Sequence, residues 1–460
     1  MIIKGFKIIT TVFRKSPLAP LYQRGGFLPL VKGGEEGFSN QCQFDFETLN
    51  KKEAGFSLVE LMITMVVFVF FIAAASQVFT GLLTQFKQQS KMAETNIEGM
   101  VGLEMLRQDI ESAGYGLPWN VTGVTDADND GNFWEHLPNY SEAATGSSPD
   151  PASFNDATRN IDGDGSDGEA PRAILSENDV TTYSAPNDIF NHSDYLVIKS
   201  VSVARNFAAG KYQFLYSDGQ KNWWVPHWEN VCRKEDNTHY PNVRVIIISP
   251  GTTVADSRSL GVSGGSFFAP VDSIPSGFRP AFDRPSHIIY GVDPDTNLRM
   301  PFNRADYYIK IPATNMPQRC ANNTGVLYKA TLNHADGAFS ELPILDCVAD
   351  MQVIYALDNN EDGDFVDGAG GDGYSDDITT APLTAQQIRT RVKQVRVYIL
   401  SHDGQRDMGF NFNNFNGACS NCILVGEFGL GRDFDLATIT DYQYYHWKLY
   451  TIVVAPHNLE

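Results

Sequence analysis

Basic side chains are scarce in this chain, which carries 35 Lys+Arg against 55 Asp+Glu and a formal net charge of −20 over 460 residues. The deficit is uneven. Residues 1–55 hold 8 basic and 5 acidic side chains, which leaves 27 and 50, a net of −23, for residues 56–460. A body this acidic repels phosphate backbones, so nucleic-acid binding is excluded as a leading function. No GxxxxGK cradle is present, so P-loop nucleotide chemistry has no support. The nine histidines are scattered. Neither a second CxxC nor a histidine pair at zinc spacing accompanies Cys419-Ser-Asn-Cys422, which argues against a zinc knuckle there. Strand-like runs do not alternate with helical ones, so a parallel βαβ sheet is not expected either.

One stretch lacks charge almost completely. Between Phe56 and Leu83 the only ionisable side chain is Glu60, and the next is Lys87. About 20 apolar residues cross a bilayer core, so this run is long enough to span. A carboxylate inside such a helix costs about 2.5 kcal/mol or more, so Glu60 needs a partner. Beyond Leu83, Ala93, Ile97, Met100, Leu103, Leu106, Ile110 and Ala113 step by three or four, the stripe of an amphipathic helix. Gly114, Gly116 and Pro118 end the pattern. A single helix from Phe56 to Ala113 is therefore expected, roughly 85 Å long at about 1.5 Å per residue.

Short β-branched and aromatic runs follow at 195–203, 243–249, 287–292, 307–311, 326–332, 351–357, 395–400 and 447–454, separated by turn residues. They favour an antiparallel sheet. Residues 119–190 are rich in Asp, Asn, Gly, Ser and Pro and read as a long loop or insertion. Five cysteines lie in the body: Cys232, Cys320, Cys347, Cys419 and Cys422. In an exported body up to two disulfides form and one thiol remains, with connectivity open. A structural disulfide is the expected use of Cys419 and Cys422, because the CxxC lies in an Asn/Gly loop rather than at a helix N-terminus.

Three acidic loops have the alternating oxygen ligands that suit calcium. Asp126-x-Asp128-x-Asp130-Gly131 and Asp358-x-Asn360-x-Asp362-Gly363-Asp364 match best, with the glycine at the sharp turn. Both lack the bidentate glutamate at loop position twelve, where Leu137 and Ala369 stand, so a further ligand such as Glu135 or Asp367 is required. Asp162-Gly-Asp164-Gly-Ser166-Asp167 is a looser match. Gly261-Val-Ser263-Gly-Gly265 has the GxSxG spacing of a hydrolase nucleophile elbow, but neither flank reads as the strand and helix that an elbow needs. No enzyme activity is expected.

Lys51 and Lys52, Gly55, Phe56, Glu60 and the apolar run, in that order, closely resemble the class III signal of type IV pilins and type II secretion pseudopilins. Two further segments, LRQDIESAGYGLP at the end of the helix and VADMQVIYALDNNEDGD with RVKQVRVYILS, resemble PilW-like minor pilins. The resemblance covers residues 51–118, 345–401 and 445–458, and not most of 119–340. It implies that a prepilin peptidase cuts between Gly55 and Phe56 and methylates the new N-terminus. It further implies that Glu60, then fifth in the mature chain, pairs with the terminal amine of a neighbouring subunit during assembly. The fold implied is α+β and pilin-like, a long N-terminal helix on an antiparallel sheet with long insertions. The expected layout is a leader at 1–55, a membrane and assembly helix at 56–84 and its amphipathic half at 85–116. An acidic loop-rich insertion follows at 117–190, then a β-rich head at 191–460. The Pro/Gly-rich stretch before Leu49 has no clear period, and a translation start near Leu49 with the leader LNKKEAG is expected. The function implied is a minor pilin, a priming or tip subunit held in the inner membrane with its head in the periplasm until it joins a surface pilus. Its partners are then other major and minor pilins and a possible tip adhesin. A J-type pseudopilin of type II secretion and a calcium-dependent adhesin head on a pilin stalk are the alternatives.

Overall fold

The computed structural model describes the chain from Gly55 onward, apart from residues 128–130, 146–149, 159–167, 181–191, 222–228, 252–256, 282–285, 313–315, 364, 366–372, 379–381, 428 and 460. Within the long helix the side chains of residues 84, 88, 91–96 and 98 are also left aside. The chain divides into two compact units, Met1–Ala73 and Ala74–Glu460. The long helix α1 (Leu58–Glu111) begins in the first and continues into the second. It ends two residues before the limit expected from the stripe, where Gly114 and Gly116 take left-handed conformations (φ 79° and 65°) that glycine adopts without strain.

The second unit is built on an eight-stranded sheet in the order His446–Val454, Val392–Asp403, Phe339–Leu357, Gly325–Leu332, Asn303–Lys310, Tyr195–Ser200, Ile174–Glu177, with Gly373–Ser375 added to the end of Phe339–Leu357. Each of these pairings is antiparallel. All eight expected strands are present in the chain, six in this sheet and two (243–249 and 287–292) in the second one below. Most ends shift by a few residues, but the strand expected at 351–357 begins twelve residues earlier, at Phe339. Both faces of the sheet are covered, which explains runs as apolar as VRVYIL. Val395, Val397 and Ile399 join the core that contains Leu103, Leu106 and Ile110 of α1. Tyr398 and Leu400 face a separate cluster with Phe412, Ile423, Phe434 and Trp447. Each fully buried Leu or Ile contributes about 1.5–3 kcal/mol, so the last three turns of α1 supply much of its attachment.

The helical stripe needs correction in its first half. Leu103, Leu106, Ile110 and Ala113 are buried, but Ile97 and Met100 are 59% and 57% exposed, and Ala93 lies among the side chains left aside. The helix instead meets the sheet at Gly99 and Gly102. A Cβ placed on Gly102 would lie 2.1 Å from the Ile344 carbonyl oxygen, so the two backbones approach as only glycine allows.

The region read as a loop insertion also needs correction. Among its described residues, Ile174–Glu177 is an edge strand of the large sheet, paired with Tyr195–Ser200. Trp134, Leu137, Ala143 and Phe154 are buried. The segment 201–293 supplies most of a second, six-stranded sheet, Asn120–Thr122, Ser259–Gly261, Arg244–Ser249, His287–Asp293, Tyr212–Leu215, with Phe268–Pro270 alongside Arg244–Ser249. Only the first pairing is parallel.

Between the helix-side core and the insertion lies a buried ionic network. Arg172 Nε donates to Asp156 Oδ1 at 2.6 Å, and Lys199 Nζ bridges Asp156 Oδ2 (2.6 Å) and Glu142 Oε2 (2.7 Å). Arg304 binds Asp306 at 2.8 Å, and Tyr195 donates its hydroxyl to the other Asp306 oxygen at 2.6 Å. Burial alone raises the Asp156 carboxyl, but the charges of Arg172 and Lys199 outweigh it and hold it below the usual range. A second anchor ties α1 to the sheet, where buried Asp109 accepts from Tyr307 at 2.5 Å and is ion-paired with Lys329.

Asp350 departs from this close matching of charges, its nearest cation, Arg432, standing 3.8 Å away. It is fully buried beside a register shift in Phe339–Leu357, and its Oδ2 has no hydrogen-bond partner. Burial pushes its carboxyl up to about 6, against the opposing charge of Arg432 and the hydrogen bonds from Gln352 and Met351. The folded value lies above the unfolded one, so ionised Asp350 costs stability in full above pH 6, and the cost fades as pH falls through 6 toward 4. Asp350→Asn is expected to stabilise by about 2–3 kcal/mol near pH 8 and by almost nothing near pH 4. Urea midpoints at the two pH values check this, and an equal shift at both contradicts it.

Candidate functional site

The segment that begins at Gly55 is described within the first unit. Gly55, Phe56 and Ser57 precede the helix. A Cβ placed on Gly55 meets nothing within 4 Å and no positive φ occurs there, so the fold itself does not demand glycine at this position. Phe56 is 77% exposed. Ser57 starts the helix: its Oγ accepts from the Glu60 N–H at 3.3 Å, and its carbonyl accepts from Leu61 N at 3.1 Å. Ser57-Leu-Val-Glu60 therefore has the spacing of a capping box, a signal legible in the sequence that marks Ser57 as a residue the sequence reading missed. Glu60, one turn in, stands among exposed Leu58, Val59, Leu61 and Met62.

The span Leu58–Lys87 is long and apolar enough to cross a membrane, with a mean hydropathy of 2.6 and none of its most apolar window buried within the chain. Two of its hydroxyls are satisfied locally: Thr64 Oγ1 donates to Leu61 O and Thr80 Oγ1 to Ser76 O. That leaves an apolar surface with a lone carboxylate near its start.

The acidic loops are placed as follows. Asp358 is buried at the end of its strand, and its carboxylate accepts from Asp362 N (3.1 Å) and Gly363 N (2.9 Å). Asn360 Oδ1 accepts from Asp362 N at 2.9 Å, and Gly363 has φ 106°. These backbone-to-side-chain bonds turn the loop so that its first, third and fifth residues are brought close together. Lys393 Nζ lies 3.4 Å from Asp358 Oδ2. Burial raises the Asp358 carboxyl, but the Gly363 hydrogen bond and Lys393 outweigh it and leave it low. Asp364 and Asp367 lie outside the described residues.

Asp358, Glu361, Arg389 and Lys393 line a cleft of about 800 Å³ that Trp119 also borders. The Trp119 ring lies between the guanidinium groups of Arg258 and Arg389, at 4.4 and 4.6 Å. Burial, then the charge of Arg258, lowers Arg389 to about 10. In the other loop Asp126 Oδ2 accepts from Gly131 N at 3.1 Å. The Glu135 side chain is 6% exposed and lies 3.1 Å from His136 Nε2. Asp128, Asp130 and the whole 162–167 motif lie outside the described residues.

The body cysteines form two bonds. Cys320 is joined to Cys347, which takes φ 57° in the long strand, and Cys419 is joined to Cys422. Cys232 remains a buried thiol. Gly261-Val-Ser263-Gly-Gly265 is a tight turn in which Ser263 and Ser266 exchange backbone hydrogen bonds, with no helix after it. It lacks the strand–turn–helix geometry of an elbow.

Against this geometry, the family model of the prokaryotic N-terminal methylation motif matches residues 50–76. No curated protein and no solved structure matches the chain. The motif, with the one membrane-length apolar helix among the described residues, supports a type IV pilin-like or pseudopilin-like protein; it implies processing by a prepilin peptidase and assembly with other pilins, and the helix fits a membrane anchor. Its α+β layout, one long helix followed by antiparallel sheets, is that of such a subunit.

Proposed function

We propose that the protein is a PilW-like minor pilin, a non-enzymatic priming or tip subunit of a type IV pilus. The carrying observation is the exposed apolar helix with Glu60 five residues after the Gly55–Phe56 junction. In this reading Gly55 is the last leader residue, Phe56 the methylated first residue, and Glu60 the partner of a neighbour's terminal amine. An acidic body with two large sheets and a two-stranded one, described over most of residues 74–460, is large for a subunit repeated along a whole filament, which favours a minor role. A J-type pseudopilin of type II secretion shares every one of these features. Mass spectrometry of sheared filaments tests the proposal. A mature chain beginning at N-methylated Phe56 and co-purifying with pilins is the expected result. Its recovery only with secretion components would move the assignment to the pseudopilin.

A calcium-binding head is the second reading, favoured by the curled Asp358–Gly363 loop. Calcium is expected to displace Lys393 from Asp358, to give binding heat and to raise the melting temperature of the detergent-solubilised chain. Asp362→Asn is expected to abolish both effects if the site is this loop. Absence of heat and of any melting shift in the unaltered chain removes the reading. A calcium-dependent adhesive role for the head depends on the same result.

A further inference from the structure

The thiol left over from disulfide pairing is not isolated. Cys232 stands at the base of a short hairpin: Tyr240 N donates to Cys232 O at 2.7 Å and Lys234 N to Thr238 O at 3.1 Å. The chain reverses at Asn237, whose φ is 66°. This turn returns His239 to the neighbourhood of Cys232. A second segment, just after Phe268–Pro270, runs alongside, with Val271 N bonded to Val243 O at 2.9 Å, and brings Asp272 to the same place. The Cys232 Sγ, one imidazole nitrogen of His239 and one carboxylate oxygen of Asp272 lie within 4.8 Å of one another.

Lys221 orients one of these ligands. Lys221 Nζ donates to Val271 O (2.7 Å) and to Asp272 Oδ1 (2.9 Å), so Asp272 turns its other oxygen, Oδ2, toward His239 Nε2. Cys232 is 1% exposed, whereas the His239 and Asp272 side chains are 39% and 30% exposed and border a cavity of about 410 Å³. The sulfur thus lies inside and the nitrogen and oxygen face an entry path, with room on the cavity side for a fourth ligand.

We propose that Cys232, His239 and Asp272 bind a divalent transition-metal ion of the zinc class. One sulfur, one nitrogen and one oxygen form a mixed donor set that suits zinc or cobalt and not calcium or magnesium, which take oxygen ligands. Binding needs the thiolate, so the Cys232 S–H bond is lost and one proton leaves for each ion bound. His239 then gives up its hydrogen bond to Asp272, and both coordinate the ion. This site is independent of the acidic loops and of the pilin assignment, since it draws on neither the helix nor Asp358.

The untagged full chain in detergent, titrated with cobalt, is expected to develop thiolate-to-cobalt charge-transfer absorption at one ion per chain. Binding of cobalt or of zinc to the metal-free chain should release one proton, zinc should then displace cobalt with no further release, and excess calcium should do neither. Cys232→Ser should remove the absorption. His239→Gln is the sharper test, because that side chain is partly exposed and its change spares the core. It should weaken cobalt binding by at least about tenfold, the lower range for loss of a mere outer-shell partner. Absence of the absorption in the unaltered chain, or unchanged cobalt affinity in His239→Gln, overturns the proposal.

Discussion

Asp156→Ala is expected to lower the stability of the folded body by about 3–5 kcal/mol, the usual cost of stranding a buried charge. Asp156 is wholly buried and accepts from Arg172 Nε (2.6 Å), Arg172 N (2.9 Å) and Lys199 Nζ (2.6 Å). Without it Arg172 loses its carboxylate, and Lys199 keeps the Phe154 carbonyl (2.9 Å) and Glu142, which Arg304 also approaches at 3.5 Å. The alternative for those cations is water, and they are 0–2% exposed. A fall in melting temperature of roughly 4–6 °C is expected for a body of this size in the detergent-solubilised chain. Glu235→Ala, at an exposed turn, is the control and should stay within about 0.5 kcal/mol. If Asp156→Ala melts within two or three degrees of the unaltered chain, the network is not a structural keystone.

Glu60→Leu is expected to leave the chain in the membrane and remove it from filaments. The helix around Glu60 exposes Leu58, Val59, Leu61 and Met62, so neighbours that cover it in an assembly also exclude water. In the proposed assembly a neighbour's terminal amine, buried without its carboxylate, costs about 3–5 kcal/mol. About 3 kcal/mol already corresponds to roughly a hundredfold loss of incorporation. Cleavage after Gly55 should proceed, because the junction itself is unchanged. Quantitative mass spectrometry of membrane and sheared-filament fractions separates the two steps. Normal incorporation of Glu60→Leu would show that Glu60 serves the helix start with Ser57 and not assembly.

Much of the architecture was legible because its signals are local. The run 56–83 is apolar without regard to face, and a membrane helix has no other way to read. VRVYIL and MQVIYAL alternate between two cores, and period two survives in the chain even when both faces are apolar. The insertion misled for the opposite reason. Its Asp, Asn and Gly residues resemble solvated turns, yet Glu142, Asp156 and Arg172 are buried because Lys199 and Arg304 arrive from strands far along the chain. A polar residue carries no local mark of whether a distant partner will neutralise it.

The helix showed the same division. Its stripe located Leu103, Leu106 and Ile110 correctly, but Ile97 and Met100 belong to the exposed side because Gly99 and Gly102 make the contact with Ile344 and Leu345. Glycine registers as a gap in a hydrophobic pattern, while in packing it permits the closest approach.

From the sequence alone came the processing signal, the membrane-length helix, the main strands and the surplus of one thiol, each a matter of residue type and short-range period. Tertiary structure alone decided that Cys320 bonds Cys347, that Cys232 meets His239 and Asp272, and that the acidic middle of the chain is folded around buried cations. Those outcomes depend on which segments the sheets bring together, and hydrogen-bonded register over tens to hundreds of residues leaves no periodic trace in the chain.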